Sequence, residues 1–137
     1  MKTPILSCAI ILALSFGGLN ALYGGSATWN LNPVDNNWNN PANWTPPTVP
    51  EEMGDIATFG PSSITSLLLS AGVIISGIVF QSDASEYTIT VAHHANTMYL
   101  IGHPDGAIIN KSGKVQKFVG VGTACPLHCS GDAFWLQ

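Results

Sequence analysis

The chain has 137 residues, a formal net charge of −4 at pH 7 and only 9% charged residues. This length has room for one domain at most. Arginine is absent and the only basic residues besides histidine are four lysines, whereas a nucleic-acid-binding protein needs a basic surface that neutralises phosphates. The composition therefore excludes a nucleic-acid partner.

The first 27 residues have the order of a secretory signal peptide: Lys2, then an almost uninterrupted apolar run from Pro4 to Phe16, then small and polar residues. The run is shorter than the roughly 20 residues of a membrane-spanning helix, which favours a cleaved signal peptide over the alternative of an uncleaved N-terminal anchor. The pattern predicts export, to the extracellular space or the outer cell surface. Contact with a membrane is then expected only through export or through a C-terminal anchor outside this sequence.

Two positions fit the end of this signal peptide. Gly25-Ser26-Ala27 provides small residues at the third and first positions before a cut, as signal peptidases require. We therefore predict a signal peptide of residues 1–27, with cleavage after Ala21 as the second choice.

A tryptophan- and asparagine-rich block opens the predicted mature chain. Trp29, Trp38 and Trp44 fall within sixteen residues, and the surrounding Asn-Pro, Pro-Pro and Val-Pro pairs favour turns and extended backbone. Each indole carries one N–H that needs a hydrogen-bond partner, which neighbouring Asn and Thr side chains can supply. We interpret residues 28–60 as an N-terminal cap over an adjacent β-surface.

From residue 56 onward, short apolar runs rich in β-branched residues alternate with Gly, Ser, Asp and Asn. Such runs predict β-strands, and Tyr87–Val91 alternates apolar and hydroxyl residues as a half-buried strand does. Residues 61–121 are therefore predicted to be a β-strand repeat region, and the whole fold to be all-β. The predicted strands are Ile56–Phe59, Ile64–Leu69, Val73–Phe80, Tyr87–Val91, Met98–Ile101, Ala107–Ile109 and Val115–Val121.

Seven short strands fit a β-sandwich or barrel, or a β-solenoid in which the chain winds through successive rungs. The turns contain few of the Asn-Gly pairs that close two-residue hairpins. Segments such as Ile75-Ser76-Gly77-Ile78 and Leu100-Ile101-Gly102 also share a loose pattern of apolar residues, a glycine and a polar corner. These observations favour a short solenoid, with a β-sandwich as the alternative.

Residues 122–137 lack the regular alternation of short apolar runs and turn residues, and we interpret them as an atypical tail produced by truncation or a frameshift. They contain Cys125 and Cys129, which in an exported chain are predicted to form a disulfide or to be incidental thiols. Zinc bound by this pair with His128 is the alternative, although zinc sites take four ligands and only three lie here.

The order of these motifs resembles the N-terminal start of bacterial autotransporter-associated β-strand repeat proteins, over about residues 24–121. In that family a Trp/Asn block opens the mature chain and a repetitive right-handed β-helix follows. The first rungs correspond here to Gly77–Phe80, Tyr87–Val91 and residues 108–113. The opening block corresponds to Trp29, Trp38, Asn43, Trp44, Pro50, Asp55, Ala57 and Phe59.

The resemblance implies an exported structural or adhesion-type protein that begins a surface or autotransporter-like passenger. The expected fold is a short right-handed β-helix behind the N-terminal cap. Since members of the family run to many rungs, this chain is expected to be a fragment of a longer protein.

The residues give no sign of catalysis. The acidic residues are scattered singly apart from Glu51-Glu52, whereas a glycosidase needs two carboxylates that face one bond. No nucleotide-binding or nucleophile motif is present. We predict no enzymatic activity, no cofactor and no metal site.

The alternative function is a small secreted carbohydrate-binding β-domain. In that hypothesis Trp29, Trp38 and Trp44 form a face that stacks on sugar rings. The partners are then extracellular glycans or other cell-surface components.

Overall fold

The computed structural model describes residues 25–91, 96–102 and 107–120, together with the backbone of residues 127–129. This part of the chain is all-β, as predicted, with a single 3₁₀ turn at Pro41–Asn43. It contains no helix long and apolar enough to cross a membrane. Its strands are β1 (Ala27–Trp29), β2 (Trp44–Thr45), β3 (Ile56–Phe59), β4 (Ser66–Leu69), β5 (Val73–Ile75), β6 (Gly77–Phe80), β7 (Thr88–Val91), β8 (Met98–Leu100), β9 (Ile108–Asn110), β10 (Lys117–Gly120) and β11 (Leu127–Cys129).

These strands form three sheets, which the chain visits in turn. The first sheet has the order β2-β1-β3-β6-β9, the second β10-β7-β4 and the third β11-β8-β5. Each strand from β3 to β8 pairs in parallel with the strand three places later, so that Ile56 lies beside Gly77 and Ile78 beside Ile108. We call β3–β5 the first cycle, β6–β8 the second cycle and β9–β11 the third cycle.

The core forms because side chains along each strand alternate between the interior and the surface. In β4, for example, Leu67 and Leu69 are buried while Ser66 is exposed. In-register pairing then stacks similar side chains from one cycle to the next. Phe59 and Phe80 are partners in β3 and β6, and their ring centroids are 5.2 Å apart.

The third cycle is less buried than the second. Ile108 of β9 and Phe118 of β10 are only partly buried against the core. Their partners in the second cycle, Ile78 and Ile89, have no exposed surface. Within the described residues, the core is therefore complete at the first two cycles and incomplete at the third.

One predicted strand is in fact two, because a corner divides Val73–Phe80 at Ser76. The N–H groups of Ser76 and Gly77 both donate to the carbonyl of Asp55, at 2.8 and 3.4 Å. This corner turns the chain from the third sheet into the first. The polar corner expected in Ile75-Ser76-Gly77-Ile78 therefore ends one strand and begins the next, whereas its distant partner Asp55 cannot be recognised from the apolar run.

The strands also cross the predicted domain boundaries. β3 lies before residue 61 but belongs to the first cycle, because it pairs with β6. Leu127–Cys129 lies within the predicted tail of residues 122–137, yet it pairs in register with β8. The cyclic pairing therefore begins earlier and ends later than residues 61–121.

Candidate functional site

Residues 25–55, which we call the cap layer, lie along one edge of all three sheets. In the first sheet β1 pairs with β3. In the second sheet Leu68 of β4 makes two backbone hydrogen bonds with residues 36–38, each 2.9 Å long. In the third sheet the N–H of Ile74 in β5 donates to the carbonyl of Glu51 at 3.1 Å. The cap layer thus provides backbone partners for the first cycle in every sheet.

Three tryptophans of the cap layer pack around Phe59 of β3, and we call these four residues the aromatic cluster. The centroid of the Trp44 ring lies 5.1 Å from that of Trp29 and 5.0 Å from that of Trp38, both edge to face. All three rings also contact Phe59. The three tryptophans are almost fully buried, with exposed fractions of 1% for Trp29, 0% for Trp38 and 1% for Trp44. Edge-to-face packing of buried rings adds favourable electrostatic contacts to the hydrophobic burial.

The indole N–H groups of the aromatic cluster all donate to backbone carbonyls. Trp29 donates to Ile64 at 3.0 Å, Trp38 to Pro50 at 3.1 Å and Trp44 to Trp38 at 2.7 Å. The expectation that Asn and Thr side chains supply these partners is therefore wrong. Asparagine side chains of the block bind instead to Asp35, to backbone groups and to the hydroxyls of Thr45 and Ser70.

A second cluster, the Asp35 network, holds the chain between β1 and β2. The Asp35 carboxylate accepts hydrogen bonds from the side-chain amides of Asn43 and Asn40, each at 2.7 Å. It also accepts one from the backbone N–H of Asn37 at 2.8 Å. These three donors favour the ionised carboxylate and lower the pKa of Asp35 below its ordinary value of 3.8, with Asn43 the largest cause.

Asn43 is the buried member of this network. Its side-chain oxygen accepts from the N–H groups of Val34 at 2.8 Å and Asp35 at 3.2 Å. Its side-chain nitrogen donates to Asp35 and to the carbonyl of Asn37 at 2.8 Å. All four hydrogen-bonding positions of the amide are used, which a polar group without exposed surface requires.

Asn39 joins the cap layer to the corner between β4 and β5. Its side-chain oxygen accepts hydrogen bonds from the N–H groups of Ser70 at 3.0 Å and Ala71 at 2.9 Å. This contact fixes the cap layer to the first cycle outside the strand pairs. Asn residues suit such positions because their short side chains bind nearby backbone.

The aromatic cluster bears directly on the sugar-stacking hypothesis. A ring that binds a sugar must present an open face to solvent, and Trp29, Trp38 and Trp44 are buried. Their burial argues against a sugar platform and favours a packing role. A shallow surface depression elsewhere is lined by Thr65, Ser85, Glu86 and Lys114, and none of the three tryptophans lines it.

The predicted disulfide stays a prediction. Cys125 lies outside the described residues, and for Cys129 only the backbone in β11 is described. Among the side chains that the structure describes, no three His, Cys, Asp or Glu residues are grouped so as to hold a metal ion.

Sequence reasoning identified the aromatic cluster but missed the Asp35 network. The feature of the sequence that could have revealed this network is the run of asparagines that follows Asp35, since Asp and Asn side chains favour turns by binding backbone N–H groups. Which of several asparagines is buried depends on how β1 and β2 are brought together, and a sequence pattern does not contain that information.

In comparisons with known proteins, no family model, no curated protein and no solved structure matches this chain.

Proposed function

We propose that this protein is the exported N-terminal part of a β-helical surface protein or autotransporter-like passenger, with a structural or adhesion role and no enzymatic activity. The observation that carries the proposal is the cap layer, which gives backbone partners to the first cycle in all three sheets. Within the described residues, β9, β10 and β11 each have a strand neighbour on one side only. A stack of repeats needs such an arrangement at its start, with one end closed and the other ready for further repeats.

The pairing pattern supports a β-helix as the finer description of the fold. A chain that passes through three sheets in a fixed order, with parallel in-register pairs between successive cycles, winds around a common core. A β-sandwich is built from antiparallel sheets, whereas β1 and β2 are the one antiparallel pair among the described strands. We infer right-handed winding from the resemblance of the sequence to β-strand repeat passengers.

The cap layer has a physical purpose in this proposal. An uncovered sheet edge presents unpaired N–H and C=O groups and pairs readily with other chains. In the first cycle these groups bind to the cap layer, and the three tryptophans of the aromatic cluster cover the apolar side chain of Phe59. The tryptophan block then acts as a plug for the N-terminal end of the stack.

Two acidic residues of the cap layer have structural roles, which supports a non-enzymatic function. The Asp35 carboxylate binds the amides of its network. The Asp55 carboxylate accepts hydrogen bonds from the N–H groups of Glu51 at 3.2 Å and Glu52 at 3.1 Å, and so holds the turn before β3. The hydrogen bonds of both carboxylates are thus explained by the folding of the cap layer, without a catalytic role.

Export is tested with the full chain carrying a C-terminal epitope tag in a Gram-negative host. We expect protease added to intact cells, or to cells with a permeabilised outer membrane, to remove the tag. The matched control is a chain that starts at Leu22, which should stay in the cytoplasm and keep its tag. Equal protection of both chains would show that the export proposal is wrong.

The plug and the sugar platform differ in tryptophan fluorescence. We expect a blue-shifted emission that does not change with added oligosaccharides, because the rings of the aromatic cluster are buried. The measurement is made in a Trp135→Phe background, so that only Trp29, Trp38 and Trp44 contribute. A saturable change with an oligosaccharide, lost on Trp44→Phe substitution, would favour the carbohydrate-binding alternative.

A further inference from the structure

The first strand among the described residues, β1, begins inside the predicted signal peptide. Ala27 is the first residue of β1, its strand partner is Ala57 of β3, and only 5% of it is exposed. It belongs to the same buried cluster as Trp29 and Phe59. Ala27 is therefore part of the core as well as part of the predicted cleavage motif.

The two residues before Ala27 also contact the folded domain. The hydroxyl oxygen of Ser26 accepts a hydrogen bond from the N–H of Ile56 at 2.9 Å, just where β3 begins. Gly25 is close to Thr48, since a β-carbon added to Gly25 would lie 3.4 Å from the Thr48 hydroxyl oxygen. Ser26 and Ala27 thus both bind to β3, and Gly25 lies beside Thr48 in the rest of the cap layer.

Cleavage after Ala27 would damage this arrangement. The new N-terminus would be Thr28, which has Thr45 as its strand partner on one side and Thr58 on the other. A new α-amino group has an ordinary pKa of about 7.7–8.0 and is mostly charged at pH 7. An ammonium ion would then stand between two strands, Ile56 would lose its acceptor, and β1 would lose its buried first residue.

We propose that export removes only residues N-terminal to Gly25, so that Ser26 and Ala27 stay in the mature protein as the start of β1. This inference rests on the proposed export. Of the two cleavage positions that fit the sequence, only the one after Ala21 leaves β1 intact. The reaction is hydrolysis of the Ala21–Leu22 peptide bond by one water molecule, with a carboxylate formed on Ala21 and an ammonium on Leu22.

The position of the cut is measured on the exported product of the full chain, by intact mass and by N-terminal sequencing. We expect a product that begins at Leu22. Ala21→Tyr places a bulky residue directly before this bond, where signal peptidases accept small residues, and should abolish the product. A wild-type product that begins at Thr28 would overturn the inference while leaving export intact.

A second measurement tests the contribution of residues 25–27 to folding, independently of export. Chains that start at Leu22 and at Thr28 are produced without a signal peptide, and their urea unfolding curves are compared. We expect the equilibrium constant for folding to be lower in the Thr28 chain by about tenfold or more, because a hydrogen bond and a buried strand residue are lost. Equal stability of the two chains would overturn the inference.

The two measurements separate this inference from the proposed function. A full chain that remains unprocessed in the cytoplasm would overturn the export proposal and the cleavage site together. The urea comparison would in that case still decide whether residues 25–27 belong to the folded domain.

Discussion

At the scale of single residues, Asp35 and Asn43 show how a polar cluster stabilises a mostly apolar cap. The amide of Asn43 uses all its hydrogen-bonding positions, and one of its partners is the Asp35 carboxylate at 2.7 Å. The arrangement depends on Asp35 being ionised, because a protonated carboxyl offers the three amide donors fewer acceptor sites.

The Asp35 network predicts a loss of stability in acid. The pKa of Asp35 is lowered in the folded protein, so the contribution of Asp35 is complete above its ordinary value of 3.8. As the pH falls below 3.8, the unfolded chain binds a proton first, and stability declines until the folded-state pKa is passed. We expect urea midpoints measured between pH 5 and pH 2 to fall less steeply in Asp35→Asn than in the wild type. Glu86→Gln, on an exposed residue outside the network, is the control and should keep the wild-type slope.

Tyr87 predicts the opposite behaviour in alkali. Burial is the main cause that raises its pKa to about 12, with the charge of Asp83 adding to the effect, and its hydroxyl donates to the carbonyl of Gly60 at 2.7 Å. Its contribution is complete below the ordinary pKa of 10 and is lost as the pH rises through about 12. Urea midpoints between pH 9 and pH 12 should fall less steeply in Tyr87→Phe. That variant should be less stable at pH 7 by about 1 kcal/mol, because the Gly60 carbonyl loses its donor. Identical slopes would mean that Tyr87 is not the titrating group.

At the scale of the elements, the sequence predicted strands much better than it predicted their arrangement. Alternation in Tyr87–Val91 is a local property and places β7 within one residue of its observed bounds. The corner at Ser76 is not local, because the carbonyl that fixes it belongs to Asp55. Similarly, the sequence indicates that the tryptophans are covered, but the carbonyls that their N–H groups bind lie up to 35 residues away.

The register of β6 gives a sharp test, since neighbouring residues have opposite orientations. Ile78 has no exposed surface, whereas Val79 is partly exposed. We expect Ile78→Thr to lower the free energy of unfolding by about 2–4 kcal/mol, through lost apolar contacts and a buried hydroxyl. Val79→Thr, the matched control, should change it by less than about 0.5 kcal/mol. Thermal or urea unfolding gives the free energy of unfolding of both variants. Equal losses of this free energy in the two variants would contradict the register.

The in-register pairing of β5, β8 and β11 bears on the interpretation of residues 122–137. Cys129 is in register with Leu100, which is in register with Ile75. Ile75 is followed by Ser-Gly-Ile-Val-Phe, and Cys129 is followed by Ser-Gly-Asp-Ala-Phe. The repeat pattern of the sequence thus continues beyond residue 122, into residues outside those that the structure describes. This continuity weakens the hypothesis that residues 122–137 come from a frameshift.

At the scale of the whole molecule, the cap layer and the three cycles form one structure, because the cap side chains are part of the core. Trp44 contacts Trp29, Trp38 and Phe59 and is 1% exposed. Damage to the cap should therefore affect the stability of the whole domain and uncover the edge of the first cycle.

Trp44→Ala tests this connection. We expect the free energy of unfolding to fall by about 3–5 kcal/mol, as for other large aromatic residues removed from a core, and aggregation at temperatures where the wild type does not aggregate. Leu31→Ala is the control within the cap layer, since Leu31 is 59% exposed, and it should change the stability by no more than about 0.5 kcal/mol. Calorimetry combined with light scattering measures both effects. If Trp44→Ala is destabilised but does not aggregate, Trp44 contributes to core packing without protecting the edge of the first cycle.

The parallel pairing of the cycles also has a consequence for the rate of folding. Partners such as Ile78 and Ile108 are brought together only after the intervening chain has closed into a loop, and such distant contacts form slowly. Even the antiparallel pair β1–β2 is joined by a connection of fourteen residues, Asn30 to Asn43, rather than by a tight hairpin turn. A chain with this topology stays unfolded for longer than a helical protein of equal size. For a protein exported as we propose, slow folding is an advantage, because the chain has to pass through a narrow translocation channel before it folds.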